Sequence, residues 1–277
     1  MKPRASRTRL LLGLLDAERL ERVVILSPHL DDAVLSCGGL LDALQGSVPR
    51  LTVTLHCGNT DAPRRRHIPP AVRRREDRRA MSDIGCDYVH LGFQDCVYRR
   101  SPTSGKLIYR EPRQGFAMPN VDDAAHAEEL FLVLRRLCSN MGAIALFSPM
   151  GIGRHVDHII CAYTACRLVG KGVRLLFYED FPYVCDPRIG HGVEEGPAEA
   201  LGRFGLAPAE RFAVPFDASR KEQLIGHYTT QLEPLFGAGQ GLNALLHKRR
   251  YRGAPAEFFW RARPIAESVV DHEQERA

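Results

Sequence analysis

The fold is decided by a stretch near the N-terminus, residues 23–32, which has the sequence VVILSPHLDD. Its first four residues, Val23–Leu26, form a continuous apolar run, which predicts a strand buried in a parallel sheet. One histidine and two carboxylates follow at once, at His29, Asp31 and Asp32. Parallel sheets place their sites at the carboxyl ends of strands, so these polar residues indicate a site. Taken alone, the segment also fits a turn in which Asp32 caps the next helix.

Beyond this stretch, apolar runs alternate with helical patterns. Further strands are predicted at Leu51–Cys57, Tyr88–Leu91, Ala143–Phe147 and Val173–Tyr178. Helices are predicted at Ala33–Gln45, Pro70–Ile84, Val121–Asn140 and His158–Val169. This alternation over residues 22–180 predicts an α/β fold with a mostly parallel sheet and helices on both faces.

The C-terminal part, residues 181–277, is less regular. Cys185–Pro208 is rich in Gly, Pro and Glu and is predicted to be a loop, Ser219–Leu232 a helix, and Glu257–Arg261 an added strand. No linker long enough to separate two domains is present. We therefore expect a single domain over residues 1–277, with its core at 22–180.

Composition excludes several classes of protein. The chain has 277 residues, with 38 Lys and Arg against 33 Asp and Glu, a net charge of +5, and 44% apolar residues. These values argue against disorder, and the charge is too weak for a nucleic-acid binder. The eight cysteines form no CxxC pair, Met1–Leu15 lacks the features of a secretory leader, and no apolar run is long enough to span a membrane. We interpret the protein as reduced and cytoplasmic.

A second polar segment, residues 151–158 with the sequence GIGRHVDH, follows the predicted strand Ala143–Phe147. His155 and His158 are three residues apart, so they share a face if the helix has begun. Alone, this segment also fits an Asp157 cap beside surface histidines. Because both segments follow strands of one sheet, we expect them to meet at the same edge.

The residue types at this edge suit a metal-dependent hydrolase. Two imidazoles and one carboxylate, from His29, Asp32 and His158, leave a divalent metal with an open position for water. Such a metal activates water and polarises a carbonyl. Asp31 is then the natural base for the proton of the water. His155, as an imidazolium, can stabilise the oxyanion or protonate the leaving amine.

Pro28–Asp32 followed by His155–His158 resembles the PIG-L/LmbE-like family of metal-dependent N-acetylglucosaminyl deacetylases. The resemblance extends over about residues 22–180 and, weakly, into the helix that holds Lys221, Tyr228 and Gln231. It includes Arg75-Glu76 with Ile84-Gly85, then Leu91–Asp95, and then Tyr178–Asp180. The resemblance implies a Rossmann-like fold and a zinc ion.

The resemblance also implies roles for individual residues. His29, Asp32 and His158 match the metal ligands of the family, Asp31 its general base, and His155 its assisting histidine. Substrate contacts are expected at Arg75 and Asp95, near family positions that contact the sugar, and at Tyr183, which follows a strand end beside the predicted site. The sequence departs from the family at Leu30 and Ala33, where proline and glutamate are usual; neither position is an assigned ligand.

These features predict a hydrolase that removes the N-acetyl group from an N-acetylglucosamine unit of a small glycoconjugate. The run Tyr178–Tyr183 is similar to members that act on secondary metabolites such as glycopeptide antibiotics. Two alternatives remain: an amidase of a mycothiol-like thiol conjugate, and a non-catalytic sugar-binding relative. The loops Gly92–Asn120 and Cys185–Pro208 are expected to bind the aglycone or close over the site, and to be removable without loss of the metal site.

Two further features are interpreted as structural. His56 in a strand is more typical of a packed core histidine than of a second metal site. Gly38-Gly39, inside a helix, indicates close packing between that helix and a strand rather than a phosphate site.

Overall fold

The computed structural model describes residues 20–60, 68–170, 172–237 and 241–265. Residues 1–15, on which the expectation about a leader rests, lie outside the described part. Among the described residues, no helix combines the length and the apolar character needed to cross a membrane.

One mixed sheet organises the described residues. Its strands are β1 (Arg22–Ser27), β2 (Arg50–His56), β3 (Asp87–Phe93), β4 (Ile144–Pro149), β5 (Val173–Tyr178), β6 (Leu206–Pro215), β7 (Arg250–Tyr251) and β8 (Ala254–Pro264). The order is β3-β2-β1-β4-β5-β8-β6, with β7 paired to β8. Strands β1 to β5 are parallel, and β8 is antiparallel to β5 and β6. The predicted α/β fold with a mostly parallel sheet is confirmed.

Helices cover both faces of the sheet. They are α1 (Asp32–Ala43), α2 (Pro70–Ile84), α3 (Ala124–Cys138), α4 (Val156–Cys166), α5 (Pro197–Gly202), α6 (Ala218–Ile225), α7 (Thr229–Phe236) and α8 (Gly241–Leu246). Alternate residues of β1 point to opposite faces. Val23 and Ile25 pack with α1, α2 and α6, whereas Val24 and Leu26 pack with α3 and α4.

The C-terminal part is more regular than the sequence indicates. The predicted loop Cys185–Pro208 contains α5, and β6 begins at Leu206, so that prediction is wrong at its end. The predicted helix Ser219–Leu232 is two helices, α6 and α7, separated at residues 226–228. The break is stabilised by the Tyr228 hydroxyl, which donates a hydrogen bond to Asp77 Oδ1 at 2.8 Å.

The strand order changes direction between β1 and β4. The chain runs from β1 outward through β2 to β3, and from β4 outward to β5 on the other side. Such a switch point opens a crevice at the carboxyl ends of the two central strands. The segments 27–32 and 150–158 follow those two strands and therefore face each other.

Candidate metal centre and active site

The first polar segment is a tight turn that places its side chains by local hydrogen bonds. Ser27 Oγ donates to the carbonyl of His29 at 2.6 Å and accepts the backbone N–H of Ala33 at 3.0 Å. The backbone N–H of His29 donates to Asp32 Oδ2 at 2.8 Å. The turn thus holds the Asp32 carboxylate beside the His29 ring.

Asp32 lies between the rings of His29 and His158. Asp32 Oδ2 lies 3.2 Å from His29 Nδ1 and 3.3 Å from His158 Nε2. Two ligand atoms of a tetrahedral zinc ion with bonds of about 2.1 Å lie about 3.4 Å apart, close to both distances. His158 Nε2 is buried and has no hydrogen-bond partner among the described residues. A buried nitrogen without a partner is costly unless something binds it, so these residues fit a divalent metal.

The two histidines are oriented by carboxylates on their other ring nitrogens. His158 Nδ1 donates to Asp180 Oδ1 at 2.7 Å, and Asp180 Oδ2 accepts the backbone N–H groups of Met150 and Ile152. His29 Nε2 lies 3.0 Å from Asp157 Oδ2. Metal-binding histidines in proteins almost always have such a partner, which fixes the tautomer and directs the free nitrogen to the metal. Both imidazoles are therefore preorganised as ligands.

Asp157 is itself fixed by the segment that follows β3. Its Oδ2 accepts the backbone N–H of Cys96 at 3.0 Å, and its Oδ1 is paired with the guanidinium of Arg99. Arg99 is buried and also donates through Nε to Asp123 Oδ1 at 2.8 Å. The loop Gly92–Asn120 is therefore linked to a candidate ligand through Asp157, contrary to the expectation that it can be removed without effect on the metal site.

The charges of the cluster agree with this geometry. Burial opposes the charged form of the His158 ring, but the Asp32 and Asp180 carboxylates beside it raise its pKa to about 9. Burial also opposes the Asp32 carboxylate, yet His158 and His29 hold its pKa well below the usual range. Asp32 is thus an anion beside two imidazoles, and a divalent cation can replace their protons.

Asp180→Asn is expected to weaken the affinity for a divalent metal by about 10- to 100-fold. The substitution removes the charge that orients His158, and it places an amide group where Asp180 accepts three hydrogen bonds. Competition with a chromophoric chelator measures the affinity, and circular dichroism shows whether the fold is retained. An unchanged affinity in a folded variant would contradict the role given to Asp180.

Asp31 lies next to this cluster without sharing its contacts. It is the N-cap residue of α1, but its carboxylate makes no capping hydrogen bond there. Asp31 Oδ1 lies instead 3.2 Å from Nη2 of Arg73, which comes from α2. Burial raises the pKa of Asp31 to about 6, and the guanidinium of Arg73 limits that increase. A carboxylate with such a pKa can accept and return a proton near neutral pH.

His155 is the N-cap residue of α4 and borders the cluster. Its Nδ1 accepts the backbone N–H of Asp157 at 3.3 Å, which leaves the proton on Nε2. Burial, and next the charge of His29 and His158, lower the pKa of His155 to about 3. The neutral ring is favoured over the imidazolium considered from the sequence, and its Nε2–H can donate a hydrogen bond to an oxyanion.

A cleft of about 220 Å³ opens beside the cluster. Asp95 lines it, and Asp95 Oδ2 lies 3.9 Å from His29 Nε2. Arg73 also lines the cleft, whereas Arg75 is on the exposed surface of α2. Tyr183 lies on another side of the cluster, with its ring centroid 5.7 Å from that of His158. The structure thus brings Asp95 and Tyr183 to the site and places Arg73, not Arg75, against Asp31.

The family is decided by a comparison of the sequence with known families. Residues 24–169 match PIG-L, described as GlcNAc-PI de-N-acetylase. The chain belongs to the PIG-L family. The matched residues contain both polar segments, most of β1 and all of β2, β3 and β4.

Two relatives of this PIG-L protein are 2'-N-acetylparomamine deacetylases. The protein from Streptomyces fradiae is 30% identical over 222 residues, which cover 76% of each chain. The protein from Niallia circulans is 29% identical over 268 residues, which cover 86% of this chain and 89% of the relative.

Solved structures of other proteins share the fold of this PIG-L protein. The zinc-inhibited form of teicoplanin deacetylase Orf2 has a TM-score of 0.74 and 24% identity, and the match covers 89% of this chain and 100% of that chain. A40926 pseudoaglycone deacetylase Dbv21 has a TM-score of 0.68 and 23% identity, with coverage of 89% and 99%.

Proposed function

We propose that this PIG-L protein is a zinc-dependent deacetylase that removes the N-acetyl group from a glucosamine unit of a secondary metabolite. The observation that carries the proposal is the position of Asp32 between His29 and His158, with Asp31 beside them, where the ligand atoms of His29, His155 and His158 lie within 4.8 Å of one another. This arrangement supplies three ligands and a separate base, which hydrolysis of an amide by an activated water requires.

The substrate class is supported by the relatives. Their names give 2'-N-acetylparomamine, teicoplanin and the A40926 pseudoaglycone as substrates, and each of these proteins is called a deacetylase. An N-acetylated amino sugar of an antibiotic is therefore the first substrate class to test. We also infer one deacetylase domain over residues 1–277, because β6 and β8 extend the sheet of residues 22–180.

The residues of this chain have distinct tasks in the proposed reaction. His29, Asp32 and His158 would hold the metal, which when bound polarises the amide carbonyl and lowers the pKa of a water. Asp31 accepts a proton from the attacking water and then returns it to the nitrogen of the amide as the C–N bond breaks. The Nε2–H of His155 donates to the oxygen that becomes negative in the tetrahedral intermediate. The products are acetate and the free amino sugar.

Removal of the metal is expected to abolish release of the amine. The experiment measures zinc content and amine release from a panel that contains N-acetylparomamine, an N-acetylglucosaminyl glycopeptide and a mycothiol-like conjugate. We expect about one tightly bound zinc ion per chain, with activity that chelation removes and added zinc restores. Cleavage of the thiol conjugate alone would favour the amidase alternative, and folded protein without zinc or rescue by zinc would contradict the proposal.

A further inference from the structure

A pair of histidines lies behind the candidate active site and has no task in the proposed reaction. His56 is the last residue of β2, and His126 lies in the first turn of α3. Their Nε2 atoms are 3.0 Å apart. His56 is buried and lines the cleft, whereas His126 is half-buried.

The ring of His56 is held in the state that binds metals. Its Nδ1 lies 3.1 Å from the carbonyl oxygen of Pro28, which can only accept a hydrogen bond, so the proton is on Nδ1. Nε2 therefore carries a lone pair. A histidine that donates one ring N–H to a backbone carbonyl and presents the other nitrogen is the usual arrangement around a protein-bound metal.

His126 presents its Nε2 to the same point. Its ring lies edge-to-face on Phe93, with centroids 5.5 Å apart, and this contact restricts the ring plane. A neutral His126 can carry its proton on either nitrogen, so transfer to Nδ1 frees Nε2 as a second ligand. An opening of the pair by about 0.4 Å would give the ligand separation of a tetrahedral zinc ion.

We propose that His56 and His126 form a second site for a divalent ion of the zinc, copper or nickel class, separate from His29, Asp32 and His158. Because His56 is part of the cleft wall, we expect occupation of this site to inhibit the proposed reaction. The proposed binding of the ion depends only on the His56 and His126 rings, whereas the expected inhibition also rests on the proposed function.

The charges around the pair allow a cation. Asp157 Oδ1 lies 3.8 Å from His56 Nε2, and Asp123 and Arg99 lie behind it. The two carboxylates balance the positive charges of the Arg99 guanidinium and of His29 in these surroundings. Because Asp157 is already paired with Arg99, water would complete the coordination, and we expect the second ion to bind more weakly than the first.

The test compares wild type with His126→Ala in zinc titrations against a chromophoric chelator. We expect two zinc ions per chain in wild type and one in the variant. Excess zinc should inhibit deacetylation by wild type, and the variant should need about 10- to 100-fold more zinc for the same inhibition. At one zinc equivalent the two proteins should be equally active. His227→Ala is the matched control, since His227 pairs with Asp83 on the surface at 2.8 Å, and it should keep both sites.

The outcomes separate this inference from the proposed function. It is overturned if His126→Ala binds as many zinc ions as wild type does, with the same affinities. Wild type could bind only a weaker zinc ion and not the tight one. If His126→Ala then binds none, the second site is supported and the proposed function is contradicted.

Discussion

Asp31→Asn is expected to lower kcat by about 10²- to 10⁴-fold, the usual contribution of a general base. The amide has nearly the same shape as the carboxylate but cannot accept a proton from the attacking water. Zinc content should not change, because His29 and His158 make their contacts with Asp32 and not with Asp31. Amine release under saturating substrate and metal analysis of the same sample give both quantities.

The matched control for Asp31→Asn is Asp217→Asn. Asp217 caps α6 by accepting the backbone N–H groups of Ser219 and Arg220, and asparagine caps helices equally well. This control should be fully active. Asp31 is not the base if its asparagine variant keeps kcat within a few-fold of wild type while it holds zinc.

Glu257→Ala is expected to lower the free energy of unfolding by about 3–5 kcal/mol, the usual cost of removing one partner of a buried ion pair. Glu257, in β8, accepts a hydrogen bond from Lys221 Nζ at 2.7 Å, and both side chains are almost completely buried. It also accepts the backbone N–H groups of Gly39 and Leu40 in α1. The substitution would leave the Lys221 ammonium buried without its carboxylate. Urea denaturation followed by circular dichroism measures the loss.

Glu210→Ala is the matched control for this effect. Glu210, in β6, pairs with Arg261 at 2.7 Å, but both side chains are more than 40% exposed, and exposed pairs contribute about 0–1 kcal/mol. The double variant Glu257→Leu with Lys221→Met should recover part of the stability, because it leaves no buried charge. If Glu257→Ala and Glu210→Ala lowered the free energy of unfolding equally, burial of the Glu257–Lys221 pair would not explain the effect.

The parallel strands were predictable because the apolar pattern of a buried strand lies within the strand's own residues. Val23–Leu26 is a continuous apolar run, Val173–Tyr178 is apolar apart from Arg174, and the structure places strands at both. Strand β6 was missed because it contains Pro208, Glu210 and Arg211 and is half-exposed at the edge of the sheet. Edge strands tolerate proline and charge, so their sequences lack the apolar pattern of central strands.

The candidate ligands were predictable for a different reason. His29, Asp32 and His158 lie within a few residues of two strand ends, so topology alone brings them together. Asp180 also follows a strand, but its role depends on its hydrogen bond to His158, which no spacing reveals. The close helix–strand packing interpreted from Gly39 is confirmed, since a Cβ atom there would lie 3.1 Å from Glu257 Oε1 in β8 and 2.6 Å from Cβ of Phe216, the residue after β6.

The arginines show the limit of motif matching. Residues two apart on a helix point about 200° from each other. If the family motif is matched to α2 two residues out of register, the contact is assigned to Arg75, which is exposed. The arginine that contacts Asp31 is Arg73. Arg99 has no sequence signal at all, because its partners Asp123 and Asp157 are distant along the chain.

The attachment of Asp157 to the segment after β3 limits how enzymes of this kind can diversify. Asp157 holds His29 on one side and is held by Cys96 and Arg99 on the other. A segment grafted from a relative that acts on a substrate with another aglycone must supply a cation at position 99. Without that cation, Asp157 loses one of its contacts and no longer fixes the orientation of the His29 ring. The whole segment therefore cannot be exchanged without disturbing a candidate metal ligand. Functional chimeras should keep residues 95–99 and vary the residues that follow them.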